Sequence, residues 1–151
     1  MNKLLLFFVF TFCLNSFPYQ DNNNGTITDL GTNLIWQKCS RGAIDTTTCS
    51  GTNISDSWSN SLQYCSSLNL GNKIWRLPNI RELKSILDYT KNTNPLINLS
   101  YFPNTESNIY WTSTTLVSSP TSVLNVSFYS GSSNNLAKLN NNYYARCVSG
   151  P

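Results

Sequence analysis

The chain has 151 residues, the length of one domain, and a domain of this size buries roughly two-thirds of the surface its unfolded chain exposes. Aromatic residues make up 13%, which excludes a disordered chain, while only 11% are charged and asparagine, serine and threonine supply the polar surface. The formal charge of +3 becomes +2 without a leader containing Lys3, and the remaining basic residues are scattered from Lys38 to Arg146, so the basic stripe of a nucleic-acid binder is missing.

Residues 1–16 read as a signal peptide. Met1-Asn2-Lys3 is a positive start, Leu4 to Phe12 is a stretch of nine residues apolar but for Thr11, and Asn15 and Ser16 form a polar exit. Nine residues are too few to span a bilayer, which takes about 20. Cleavage after Ser16 gives a secreted protein. A lipoprotein leader ending before Cys13 is the alternative, although Phe12 stands where such a leader wants a small residue. An acylated Cys13 would hold the domain on a membrane surface, the one membrane contact expected. Residues 17–24 read as a short polar linker and 25–151 as the folded domain.

Residues 25–29 and 33–38 read as short strands joined by a turn at Leu30-Gly31-Thr32, and 40–54 as a polar loop. Ser55 or Asp56 is placed to cap a helix over 57–68, whose stripe Trp58, Leu62, Cys65 and Leu68 points Cys65 into the core. After a turn at 69–73, residues 74–78 form an extended piece ending at Pro78. Asn79 then starts a helix over 80–88, with Glu82 completing a capping box and Ile80, Leu83, Ile86 and Leu87 on the buried face. Residues 89–108 read as a long loop anchored by Leu96, Ile97, Tyr101 and Phe102. Strands follow at 109–115, 122–129 and 142–148, with a turn at 131–135. Strands, two helices, a loop and a late sheet make an α+β fold with helices packed beside antiparallel strands, the first and last strands lying close together.

Setting Cys13 aside leaves Cys39, Cys49, Cys65 and Cys147, an even set in an exported chain. Three pairings are possible. Cys39 and Cys49 flank a short loop and read as a local staple, which leaves Cys65 to join Cys147. The chain has no histidine and no Cys-x-x-Cys pair, so a zinc site does not fit. Asp21 to Asp29 mimics a calcium loop, but Gly25 falls one place early and the late glutamate is absent; it reads as a turn. No metal or other cofactor is expected. Without histidine there is no Ser-His or Cys-His pair, and the seven carboxylates form no pair in sequence, so the chain reads as a binder and not an enzyme. Sequons at Asn24, Asn53, Asn98 and Asn125 reflect composition.

One ordered set of motifs resembles the DUF1566 family, the C-terminal domain of Legionella collagen-like adhesins. It runs through residues 21–29, Thr32 to Lys38 with Trp36, Trp58 with Tyr64-Cys65 and Leu68, and Trp75-Arg76-Leu77-Pro78-Asn79 with Glu82-Leu83. It continues through Phe102 to Thr105, Tyr110-Trp111-Thr112-Ser113-Thr114, Phe128 with Gly131, and Arg146-Cys147-Val148. The Cys39/Cys49 insert with the Ser-Gly-Pro terminus resembles spirochaete paralogues of the Leptospira type. The resemblance implies a C-type-lectin-like fold, in which a first-helix cysteine pairs with one on the last strand, here Cys65 with Cys147. It also implies export, surface exposure and adhesion, including to sulfated glycans, and a homo-oligomer such as a trimer. The Glu-Pro-Asn and Trp-Asn-Asp signatures of calcium-dependent sugar binding are absent. Formylglycine-generating enzymes have a related fold and use active cysteines, but bridges account for all four here.

Trp75 to Pro78 reads as a core wedge with a buried arginine that positions the second helix. Arg76 and Arg146 need carboxylate or carbonyl partners, with Asp29 and Glu82 as candidates, because a buried unpaired charge is costly. The surface left for a glycan or protein ligand is the late sheet. The loops 114–121 and 130–142 are polar, and Tyr129, Asn134, Asn135, Lys138, Asn142 and Tyr143 have the composition of an adaptable binding surface, Lys138 suiting an acidic ligand. The alternative is a structural component of the envelope without a soluble ligand.

Overall fold

The computed structural model describes residues 18–150. The expected leader, Cys13 and the cleavage position lie outside the described residues. The strands are β1 (Tyr19–Asp21), β2 (Thr26–Asp29), β3 (Ile35–Gln37), β4 (Ile109–Leu116), β5 (Ser119–Ser127), β6 (Ser133–Ala137) and β7 (Val148–Ser149). Helices α1 (Trp58–Ser67) and α2 (Ile80–Ser85) lie between β3 and β4. One antiparallel sheet has the order β1-β2-β3-β7 and the other β4-β5-β6. The fold is α+β, and the first and last strands share a sheet as expected.

The β2–β3 hairpin forms because Asp29 Oδ1 accepts from the N–H groups of Gly31 and Thr32 at 2.9 and 3.3 Å. This turn chemistry lets Ile27 pair with Trp36, and both are fully buried. Asp21 is engaged too, accepting from the Asn23 N–H at 2.9 Å and pairing with Lys38 Nζ at 2.8 Å. The segment that mimics a calcium loop is therefore a hydrogen-bonded turn feeding β2.

Several expectations need correction. Residues 19–21 are not linker but the edge strand β1, held because Tyr19 packs on Phe102 and Tyr101 at ring separations of 5.2 and 5.5 Å. The turn expected at 131–135 comes earlier, and Ser133–Ala137 is a strand. Asparagine and serine are poor strand formers, but backbone pairing with β5 and an exposed edge position override that preference. The strand expected over 142–148 is regular only at Val148–Ser149, because its backbone divides among several partners. Tyr143 bridges Asp56, Tyr144 bridges Tyr110, and Val148 exchanges both backbone hydrogen bonds with Arg76 at 2.9 Å. Finally, α2 stops at Ser85, and the cap of α1 is Ser57, whose side chain accepts from Asn60 N–H.

The sheet β4-β5-β6 separates two cores. Adjacent residues Tyr110 and Trp111 point to opposite faces and both are fully buried. Tyr110 joins Ile27, Trp36, Leu83, Phe102 and Phe128, while Trp111 joins Cys65, Trp75, Leu77, Val123 and Cys147. Fully burying an apolar side chain of the Val-to-Phe class stabilises by about 1.5–3 kcal/mol. Both disulfides are the pairs expected: Cys39–Cys49 closes the polar loop, and Cys65–Cys147 ties α1 to the residue before β7. Asn53 and Asn125 are buried, so these two sequons face the interior.

The wedge of residues 75–78 leads directly into the cap of α2. Trp75 and Leu77 are buried, and Asn79 and Glu82 form the expected capping box. Glu82 also takes both arms of the Arg76 guanidinium at 2.7 Å. Contrary to expectation, the Arg76 side chain is partly exposed; Arg146 is the buried arginine. Burial opposes ionisation of Glu82, but the Arg76 bonds, the Asn79 N–H and the Arg76 charge outweigh it and hold the carboxyl below the usual range. A depressed folded value stabilises at pH above the unfolded pKa of about 4.3, and this contribution fades as pH falls through the folded value. Glu82→Ala is expected to lose about 1 kcal/mol at neutral pH. Glu82→Gln keeps the cap and loses less, with a flatter acid dependence. Urea unfolding of both variants at pH 7 and at pH 3 checks this, and equal losses at the two pH values would refute it.

Candidate functional site

The β4–β5 hairpin turns tightly at Val117 and Ser118, and Val117 is 96% exposed. At that end of the sheet the chain leaves β6 with the Lys138 N–H bonded to Thr121 O at 2.9 Å. Trp58, the first residue of α1, stands against the same end. Its indole N–H donates to Thr112 O at 2.8 Å, which fixes the ring. Asp56 holds the start of α1, accepting from the Ser57 N–H at 2.7 Å and Asn60 Nδ2 at 2.8 Å and pairing with Arg41 at 2.8 Å. Burial opposes its ionisation, yet these bonds and the Arg41 charge keep the Asp56 carboxyl below the usual range.

Lys138 Nζ lies 4.4 Å from the centre of the Trp58 ring. Such a contact contributes about 0.5–1 kcal/mol at an exposed site and leaves the charge accessible. Among the described residues no carboxylate pairs with Lys138. Trp58, Pro120, Thr121, Lys138 and Leu139 line a groove of about 300 Å³, and Leu139 is 74% exposed at its rim. Asn141 Nδ2 donates to Ala137 O and Leu139 O at 3.0 and 3.2 Å, which orders the segment after β6. The arrangement presents one cation, an indole edge and an apolar rim on a cross-linked frame.

The structure divides the six candidate ligand residues. Lys138 is in the groove. Asn134 and Asn135 are exposed on the edge strand β6, where Asn134 O accepts from the buried Asn125 Nδ2 at 2.8 Å. Asn142 is exposed, whereas Tyr143 lies edge-on against Trp111 at 5.0 Å and is a packing wedge. Tyr129 is exposed in the β5–β6 turn, at the far end of β6 from Lys138. Trp58 is the groove residue that sequence reasoning assigned to the core stripe alone. Helical spacing placed its inner edge correctly, but nothing in the sequence says which strand end meets the first turn of α1. Among the described residues no group of three or more Cys, Asp or Glu is arranged to hold a metal ion.

The family description of the Lcl C-terminal domain matches residues 25–149. The chain belongs to the Lcl C-terminal domain family. This is the DUF1566 family that the ordered motifs resemble. Comparison with curated proteins and with solved structures finds no match. The Lcl C-terminal domain region contains β2 through β7, both helices, both disulfides and the groove, while β1 lies ahead of it. Family membership carries a general character, that of a surface-associated, adhesin-like module, and names no ligand.

Proposed function

We propose that this chain is an exported binding module, secreted or held at the cell surface, and that it acts as an adhesin for a host glycan or protein through the Trp58–Lys138 groove. The observation that carries the reading is the accessible Lys138 ammonium held over a fixed indole, beside the exposed Leu139, with no carboxylate partner among the described residues. An acidic ligand with an apolar side suits this chemistry. A C-type-lectin-like arrangement belongs to the same proposal, supported by the bridge from the first helix to the residue before the last strand. So does binding without catalysis. The chain has no histidine, and Cys39, Cys49, Cys65 and Cys147 are joined in bridges, which leaves none of these four as a thiol nucleophile.

The test is surface plasmon resonance of the mature domain over immobilised heparin, unsulfated hyaluronan and fibronectin. Saturable binding to at least one is expected, weakened about tenfold by Lys138→Glu, a loss of about 1.4 kcal/mol. Leu139→Ser should weaken it as well, and added salt should weaken a charged contact. Binding that is unaffected by both substitutions would remove the groove from the reading. No saturable binding to any of the three would favour a structural component of the envelope.

A further inference from the structure

A second depression, of about 520 Å³, opens where β1 meets the segment following α2, and it shares no residue with the Trp58 groove. Its floor is apolar, made by Ile86 and Leu87. Asp88 lines it with a carboxylate that is half used. Oδ1 accepts from the Thr90 N–H and hydroxyl at 3.0 and 2.6 Å, and Oδ2 makes no hydrogen bond among the described residues. Asn98 lines it too; its Oδ1 accepts from the Ser100 N–H at 3.0 Å, which leaves the amide N–H₂ to donate. Tyr19 is fixed by its packing on Phe102 and Tyr101. Burial, reinforced by the charges of Asp29 and Asp88, pushes its phenol up to about 12, so it stays a hydrogen-bond donor.

Tyr89 supplies the wall. It is 61% exposed, yet its hydroxyl donates to Gly131 O at 3.0 Å and its ring lies against Gly131. A Cβ at that glycine would come within 2.7 Å of Tyr89 Cε1, so the contact needs glycine there. A ring that is both exposed and tied at its tip is a preorganised platform, because the side-chain entropy normally lost on binding is already gone.

We propose that this depression is a binding subsite for an uncharged pyranose, one or two sugar rings in extent. The apolar C–H face of the sugar lies on Tyr89, its hydroxyls donate to Asp88 Oδ2, and its ring or acetamido oxygens accept from Asn98 and Tyr19. The volume is in the range of small-ligand sites. No lysine or arginine is among the residues lining it, and its one carboxylate disfavours a polyanion. The subsite is independent of the groove reading, since different residues form it and a different charge class occupies it.

The experiment is a ¹H–¹⁵N correlation titration of the mature domain with lactose, maltose and N,N′-diacetylchitobiose, alongside a sulfated heparin disaccharide. Saturable shifts confined to residues 19, 86–90 and 98 are expected with at least one neutral sugar. Tyr89→Ala, at an exposed position, should alter the spectrum only near residue 89 and around its partner Gly131, and weaken binding about tenfold; Asp88→Asn should also weaken it. The proposal is overturned if none of the three neutral sugars gives saturable shifts there, if Tyr89→Ala binds as the wild type does, or if the sulfated disaccharide is the ligand that occupies this depression.

Discussion

Removing the Cys65–Cys147 bridge by the double substitution Cys65→Ala, Cys147→Ala should leave the domain largely unfolded at 37 °C. The bridge closes 82 residues of sequence, against 10 for Cys39–Cys49. In the chain-entropy model these loops correspond to about 4.5 and about 2.7 kcal/mol of constraint on the unfolded state. A domain of this kind is stable by only about 5–15 kcal/mol, so the long bridge is a large share of the total. Its position adds to the effect. Cys65 and Cys147 are fully buried beside Trp75, Leu77 and Trp111, so the substitution also leaves space in the core on the α1 side of the sheet. The equivalent variant at Cys39 and Cys49 should keep its fold and lose protection mainly in residues 40–54. Urea midpoints for the two double variants, read by tryptophan fluorescence, decide the matter. If the 39/49 variant proves the less stable, the polar loop matters to the fold in a way its short span does not suggest.

That contrast shows which parts of the molecule local sequence could reveal. The capping box at Asn79 and Glu82 was legible because all its atoms lie within four residues, and the turn at Leu30-Gly31-Thr32 from its composition, whereas Asp29, expected as a candidate partner for an arginine, instead holds that turn through the turn's own backbone N–H groups. The stripe through Trp58, Leu62 and Cys65 followed from helical spacing. Family resemblance and the even cysteine count together gave both bridges. The errors occur where backbone pairing over long separations overrides side-chain preference. Residues 133–137 look like a turn until β5 is placed beside them, and residues 142–148 look like one strand until Asp56, Tyr110 and Arg76 each claim part of it. The groove fell in the same gap. Lys138 was a candidate on its own, but its neighbour Trp58 stands 80 positions earlier in the chain, and only the meeting of α1 with the end of the late sheet joins them.

Arg146→Met is expected to be the most damaging single substitution, at about 3–5 kcal/mol, from the buried acceptors it leaves without a donor. Arg146 is fully buried, and burial pushes its guanidinium down to about 10, against the pull of the Tyr110 phenol, so it remains charged at neutral pH. No carboxylate neutralises it within salt-bridge range among the described residues. Neutral dipoles hold it instead: the carbonyls of Gln37 and Lys38, the Ser40 hydroxyl at 3.1 Å and the Thr105 hydroxyl at 2.7 Å, with the Phe102 ring 5.1 Å from its centre. One side chain thereby ties the end of β3, the start of the polar loop and the residues ahead of β4 to the segment leading into β7. Methionine fills much of the volume but donates nothing, and each buried acceptor left without a donor costs about 1–3 kcal/mol. Relief from burying a charge offsets part of that, which is why the net loss is smaller than the sum. Arg146→Lys should also destabilise, since a single ammonium cannot reproduce a planar fork bonded on two sides. Hydrogen exchange supplies the sharper reading: protection should fall first at residues 37–41 and 102–106, the segments the guanidinium joins, and only later in α2. A methionine variant as stable as the wild type would mean that the carbonyls find other donors and that the cation is tolerated by this core, with the fold held by its apolar contacts and the long disulfide.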